Sequence, residues 1–298
     1  NAVKLKSVYV DQLPGHVHPR TGRLHTHYLQ TWTATGRMQS NSPNLQTIPI
    51  RKQRGKEIRA AFVARDDDHL LLAADYSQIE LRVMAELSGD AGMLDAFQNE
   101  IDIHRVTASK VYKVALEEVT REMRDKAKTV NFGIIYGISG FGLAQRLGIG
   151  KKEADAIINA YFELYPGVKV HMDKTIEQAA ELGYVETLTG RRRYLRDITS
   201  SNWTVRSAAE RMAINTPIQG TAADMIKLAM IRVAAALEKE NLRSKMLLQV
   251  HDELVFDMYR EEQLLLQPLV EQCMRDALPL KVPVVVETSV GVNWLDAH

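Results

Sequence analysis

Leu70-Leu71-Leu72-Ala73-Ala74-Asp75-Tyr76-Ser77-Gln78-Ile79-Glu80-Leu81-Arg82 is the stretch on which the reading of this 298-residue chain turns. Five apolar residues lead into a carboxylate, and a short continuous apolar run bounded by polar residues predicts a buried strand. The preceding Asp66, Asp67 and Asp68 fit a solvated turn. After Asp75 the period changes. Ile79, Val83 and Leu87 recur every four residues, with Leu81 and Met84 between them, which is the pattern of a helix packing one face. Asp75 therefore falls where a buried strand gives way to a helix. A carboxylate fixed by rigid elements and open to solvent suits a metal ligand. Taken alone, an Asp at such a junction is more simply a helix cap.

A second acidic site changes that balance. Lys245–Val250 and Leu254-Val255-Phe256 read as two strands with His251-Asp252-Glu253 between them, so a hairpin would carry two carboxylates at its tip. Acidic residues in a tight turn are usually just solvated. Two carboxylate sites at strand ends, however, match the needs of a pair of divalent metals about 3.5–4 Å apart, which stabilise attacking and leaving oxygens in phosphoryl transfer. Mg²⁺ asks for few protein carboxylates, because phosphates and water complete its octahedron.

A third feature is the segment Thr120 to Tyr136, with Gly137 as its C-terminal stop. Arg124, Lys128, Phe132 and Tyr136 recur every four residues and form one stripe over about three helical turns. Cations hold one end and aromatics the other. Spacing leaves open a solvated basic end followed by a core-facing aromatic end. It equally fits cations that hold an anion in a closed site. Gly133 would let another group approach the backbone closely.

Asp75-Tyr76-Ser77-Gln78-Ile79-Glu80-Leu81-Arg82, the Arg124…Lys128…Phe132…Tyr136-Gly137 series and His251-Asp252-Glu253 together resemble the three polymerase motifs of family A DNA polymerases. The likeness runs from Lys4-Leu5-Lys6-Ser7 to His298. It implies an α+β fold, with an antiparallel palm sheet, flanking helices and an inserted, mostly helical fingers domain. The palm would take residues 1–82, including the end of a thumb connection, and residues 203–298; the fingers would take 83–202. The implied activity is template-directed addition of deoxynucleotides to a primer 3′ end with release of pyrophosphate. Asp75 and Asp252, helped by the Tyr76 carbonyl, would hold two Mg²⁺ ions, with Mn²⁺ as a substitute. Glu253 would be an auxiliary carboxylate. Gln78, His104, Arg124 and Lys128 would surround the phosphates, and Lys128 would also protonate the departing pyrophosphate. Phe132 and Tyr136 would lie near sugar and base, and Glu80 would crowd the sugar 2′ position. Arg37, Asn44, Gln46, Arg211, Asn215, Gln219 and His251 would contact primer–template DNA. The family usually has Asn where this chain has Thr47, whose side chain reaches less far, so Thr47 is not among the candidates.

Composition narrows the classes. No apolar run approaches the roughly 20 residues of a membrane span, and no secretory signal is present. Cys273 is the only cysteine, which rules out an intrachain disulfide and fits a reducing, cytoplasmic compartment. The chain begins at Asn1, as a fragment or processed product would; the family's 5′-nuclease, proofreading domain and most of its thumb are not within it. It is expected to act as a monomer, with a separate thumb and exonuclease part as its candidate companion. Net charge is +1, which says nothing about nucleic acid. Local clusters say more: Arg51, Lys52, Arg54, Lys56 and Arg59, and Arg191, Arg192, Arg193 and Arg196, suit a phosphate backbone or a solvated face.

Elsewhere the pattern predicts a strand at Leu24–Tyr28, loop over 33–49 and short helices over 83–118. It predicts helices Lys151–Tyr165 and Val168–Leu182, broken by Pro166-Gly167, and a hairpin of Tyr184–Leu188 with Arg192–Leu195. A helix from Val205 should be interrupted at Thr216-Pro217. Glu261–Leu278 should be helical, with a kink at Pro268, and Val282–Val290 should be a closing strand. Two rival classes are a non-catalytic nucleic-acid-binding module and a two-metal nuclease. The paired acidic sites count against the first, and the cation–aromatic stripe against the second.

Overall fold

A computed structural model describes residues 5–49 and 53–298; Lys4, Arg51 and Lys52, named above, lie outside the described residues. In chain order the elements begin with β1 (His27–Leu29), β2 (Gln39–Asn41), α1 (Gln53–Ala60) and β3 (His69–Tyr76). Helices α2 (Ile79–Ser88), α3 (Ala91–Gln98), α4 (Ile103–Tyr112), α5 (Arg121–Ile135), α6 (Gly140–Leu147), α7 (Lys151–Leu164) and α8 (Pro166–Leu182) follow. The chain closes with β4 (Tyr184–Glu186), β5 (Arg192–Tyr194), α9 (Trp203–Lys239), β6 (Lys245–Val250), β7 (Glu253–Tyr259), α10 (Gln263–Arg275) and β8 (Val286–Gly291). The class is α+β, as expected. Its residues group into two units: Asn1–Ser77 with Ala223–Pro279 and Val285–His298, and Gln78–Ala222 with Leu280–Val284.

The first unit is built on a four-stranded sheet in the order β6-β7-β3-β8, antiparallel at each pairing. The apolar run of β3 is central to it and buried on both faces. Leu71 and Ala73 join a core with Tyr9, Leu45, Ile48, Val255 and Trp294. Alternation turns Leu72, Ala74 and Tyr76 to the other face, where the Tyr76 hydroxyl donates to the Met274 carbonyl of α10 at 2.6 Å. Leu72 is wholly buried, and a buried leucine contributes about 1.5–3 kcal/mol. Asp75 ends the same face as Leu71 and Ala73, so the core beneath the strand fixes where its carboxylate stands.

The second unit is mostly helical, with the small β4–β5 hairpin. Helices α3, α4, α5 and α6 begin on side-chain caps. Asp90, Asp102, Thr120 and Ser139 each accept backbone N–H groups from the first turn that follows.

Several local expectations are corrected. Helix α9 runs unbroken through Pro217. The Thr216 hydroxyl donates back to the Met212 carbonyl at 2.6 Å instead of capping a new helix, and burial of Ala213 and Ile218 on either side outweighs the roughly 3 kcal/mol that an internal proline costs. Pro166 and Gly167 are the first residues of α8, not a linker; Gly167 N–H donates to the Asp90 carboxylate at 2.8 Å. Strand β8 starts at Val286, opposite the last residue of β3, and the Pro283 carbonyl before it accepts the Arg82 guanidinium. Residues Leu24–Tyr28 give only an isolated bridge at Leu24 and the start of β1 at His27. Arg59 is buried, its guanidinium 4.3 Å over the Trp294 ring, so the first basic cluster is not one solvated face. In the second cluster Arg192 pairs with Glu186, and Arg193 donates to the Thr216 hydroxyl at 3.1 Å. Among the described residues no helix is long and apolar enough to cross a membrane.

Candidate active site

Asp75 lies inside β3, one residue short of its end, and is not a helix cap. That place belongs to Gln78, which has φ 54° and makes no side-chain cap. In the sheet register Asp75 is opposite Glu253 of β7 on one side and Glu287 of β8 on the other. Tyr76 N–H donates to the Asp252 carbonyl at 3.2 Å, which sets the hairpin turn beside the strand end. Burial, then the charges of Asp252, Glu253 and Glu287, push the Asp75 carboxyl up to about 8. One of its oxygens, Oδ1, is buried with no hydrogen-bond partner among the described residues. Burial also raises Asp252, while its own amide, His251, Arg37 and His298 favour its charged form.

The β6–β7 turn is tighter than predicted. Val250 pairs with Glu253, so only His251 and Asp252 form the loop. His251 takes φ 58°, as the first position of a type II′ turn requires. Glu253 is therefore not at the tip. It is a buried strand residue that accepts the Trp294 indole N–H at 2.9 Å. Gln78, three residues past Asp75 in the chain, and His251, next to Asp252, are not glycines, yet both hold left-handed backbone, and such strain clusters at functional sites.

In the second unit, the predicted stripe lies along α5, with Thr120 as N-cap, Tyr136 as C-cap and Gly137 at φ 70°. The Arg124 Nε donates to the Asp102 carboxylate at 2.6 Å, and the other Asp102 oxygen caps α4. Burial alone would raise Asp102, but the Arg124 guanidinium and the cap N–H groups hold it below the usual carboxylate range. Lys128 is exposed, and Phe132 and Tyr136 are half-buried. The Phe132 ring lies 5.9 Å from His104 and 6.4 Å from Tyr136. The Tyr136 hydroxyl donates to the Glu80 carboxylate. What approaches Gly133 is Ile138 of the following turn; a Cβ there would meet its side chain at 3.1 Å.

The candidate DNA contacts divide between the units. In the first, Arg37 is half-buried and acts electrostatically on Asp252, and the Asn44 side chain accepts Gln46 N–H at 3.0 Å. The Gln46 amide is occupied within the protein: it donates to the Met38 and Gln249 carbonyls, each at 3.2 Å, and accepts Ser40 N–H at 3.0 Å. Thr47 takes the Tyr9 hydroxyl on its carbonyl at 2.6 Å. In the second, Arg211, Asn215 and Gln219 follow at intervals of four on the unbroken α9, so they share one helix face.

Asp75 and Asp252 fit a divalent cation: an orphaned carboxylate oxygen and mutually repelling acids both call for positive charge. Among the described residues, no group of three or more His, Cys, Asp or Glu side chains is placed to hold a metal ion. A pair of carboxylates with a backbone carbonyl is a donor set that Mg²⁺ accepts when phosphates supply the rest. Glu287, Trp294 and Asn131 were missed from sequence. Each matters through a partner brought to it by the fold, and nothing local in the sequence marks them.

A strand-end acid beside a hairpin acid on an antiparallel sheet can bind a cation of the kind that two-metal phosphoryl-transfer sites employ. The chain belongs to DNA polymerase family A, whose model matches residues 1–296. It is 54% identical over 302 residues to DNA polymerase I of Pseudomonas aeruginosa, covering 99% of this chain and 32% of that protein. To the thermostable DNA polymerase I of Thermus aquaticus it is 51% identical over 294 residues, 99% of this chain and 35% of that one. It is also similar to the polymerase domain of Pol1 from M. smegmatis, solved in complex with DNA primer-template and dNTP. The TM-score is 0.95 at 47% identity, over 99% of this chain and 52% of that one. The chain thus spans about a third of the length of these curated relatives.

Proposed function

We propose that this chain is the palm-and-fingers part of a template-directed DNA polymerase, adding deoxynucleotides to a primer 3′ end with release of pyrophosphate. The first unit serves as palm and the second as fingers. The observation that carries this reading is the Asp75 carboxylate, held between two acids, whose Oδ1 has no partner among the described residues. Asp75, the Tyr76 carbonyl and Asp252 would hold two divalent cations, Mg²⁺ or Mn²⁺. When bound, such a pair lowers the pKa of the primer hydroxyl and neutralises charge on the triphosphate.

The chain's own residues do the rest. Arg124 and Lys128 place positive charge along α5 for the triphosphate, with Gln78 and His104 as further polar contacts. Lys128, exposed and cationic, donates a proton to the departing pyrophosphate. Phe132 and Tyr136 pack sugar and base, and Glu80, held by Tyr136, limits room at the 2′ position. Arg37, Asn44, His251, Arg211, Asn215 and Gln219 contact primer–template DNA; Gln46 supports that loop from within. Glu253 braces the hairpin that carries Asp252. The partners are primer–template DNA and deoxynucleoside triphosphates, with a cytoplasmic monomer as the working form. Support comes from family membership and from a neighbour solved with DNA primer-template and dNTP. Primer extension with each deoxynucleotide alone tests it. Addition of only the template-complementary nucleotide is expected; degradation of the primer would indicate a nuclease, and neither outcome a binding module.

A further inference from the structure

Asn131 of α5 is fully buried, and its side-chain Nδ2 lies 2.8 Å from Nδ1 of His104. An amide NH₂ only donates, so the ring nitrogen it meets carries no proton. A neutral imidazole then carries its proton on Nε2. His104 is 1% exposed, and its Nε2 has no partner among the described residues. Buried donors in native proteins are paired, so this one points to an acceptor that the described residues do not supply.

The surroundings keep the ring neutral. Burial lowers the ring's pKa to about 4; Arg124 and Lys128 act in the same direction, and together they outweigh Asp102 and Asp125, which favour an imidazolium. The position is rigid as well. His104 stands in the first turn of α4, its backbone N–H held by the Asp102 cap at 3.0 Å, and the Phe132 ring flanks it.

We propose that Asn131 is a positioning residue that locks His104 as its Nε2–H tautomer, so that His104 offers a permanent neutral N–H donor to a phosphate oxygen of the nucleotide. The identity of that acceptor rests on the nucleotide reading above; the lock itself does not. A neutral donor holds its hydrogen bond at a constant strength across neutral pH, which an imidazolium titrating there would not.

Long-range nitrogen–proton spectra of the histidine-labelled 298-residue chain read the tautomer directly and need no variant. A neutral Nε2–H ring is expected throughout pH 6 to 8. Asn131→Leu removes the donor and should give mixed tautomers, with KM for the nucleotide raised roughly tenfold while kcat changes little. His104→Gln supplies an amide N–H without tautomers, so in the Asn131→Leu background it should restore most of the lost KM. An Nδ1–H ring in the unaltered chain, or an unchanged tautomer in Asn131→Leu, would overturn the lock. If the ring is Nε2–H but His104→Ala leaves KM unchanged, the lock stands and the nucleotide assignment of His104 fails.

Discussion

Trp294 donates its indole N–H to Glu253 at 2.9 Å, and both residues are almost wholly buried. This bond separates two neighbouring carboxylates that look alike in sequence. Glu253 faces inward and braces the start of β7; Asp252 sits in the turn before it. Asp252→Ala and Asp75→Ala should nearly abolish single-turnover extension while leaving the fold intact. Glu253→Ala should act chiefly on stability, because it strands a buried indole donor, at a cost of about 1–3 kcal/mol. Urea denaturation beside single-turnover extension checks this. A Glu253→Ala protein of unchanged stability but no activity would reverse the assignment.

The acid at Asp75 should make metal-free stability depend on pH. Its folded-state pKa is about 8, well above the ordinary 3.8. Between those values the folded state keeps a proton that the unfolded chain has released, so stability should fall as pH rises through that window and level off above it. Asp75→Asn should flatten the slope and raise the melting temperature at pH 8 without metal. Mg²⁺ should stabilise the unaltered protein and have little effect on the variant. Thermal melts at several pH values, with and without Mg²⁺, decide it.

The hydroxyl of Tyr136 is bonded to the Glu80 carboxylate, so the two should act together on sugar choice. Glu80→Ala is expected to admit ribonucleotides. Tyr136→Phe removes the hydroxyl that holds Glu80 and should relax the same choice to a smaller degree. If Glu80 were only a first-turn acid favoured by the helix dipole, worth about 0.3–1 kcal/mol, both variants would keep the original ratio of ribo- to deoxynucleotide incorporation.

Phe132 stands midway along α5 between the cations and Tyr136 and is half-buried. A phenyl ring packs against a sugar without hydrogen-bonding to it, which leaves the nucleotide's 3′-OH to pair polar groups around the triphosphate. A dideoxynucleotide lacks that hydroxyl and should lose about 1–3 kcal/mol, or roughly tenfold in incorporation. Phe132→Tyr supplies a hydroxyl in its place and should remove most of the discrimination. Competition between dideoxy- and deoxynucleotides in single-turnover extension is the measurement. An unchanged ratio with lower stability would make Phe132 a core residue.

Strand β3, helix α5 and strand β6 were legible because each carries its own signal. A continuous apolar run, a four-residue period between a Thr cap and a Gly stop, and a short run before a turn are local patterns that tertiary packing reinforced. The sequence by itself determined where the two acids fall along the chain and which residues line the stripe of α5. Pairing was beyond its reach. Glu287 became a neighbour of Asp75 only through the β3–β8 register, Glu253 acquired a structural partner in Trp294 41 residues away, and Asn131 met His104 across two helices. Pro217 shows the same limit from the other side: the local rule breaks the helix, and burial on both sides keeps it whole. Side-chain period is a property of neighbouring residues along the chain. The partner of a buried carboxylate, indole or amide is set by which elements pack together, because a polar group withdrawn from water must find its hydrogen bond wherever the fold brings one within reach.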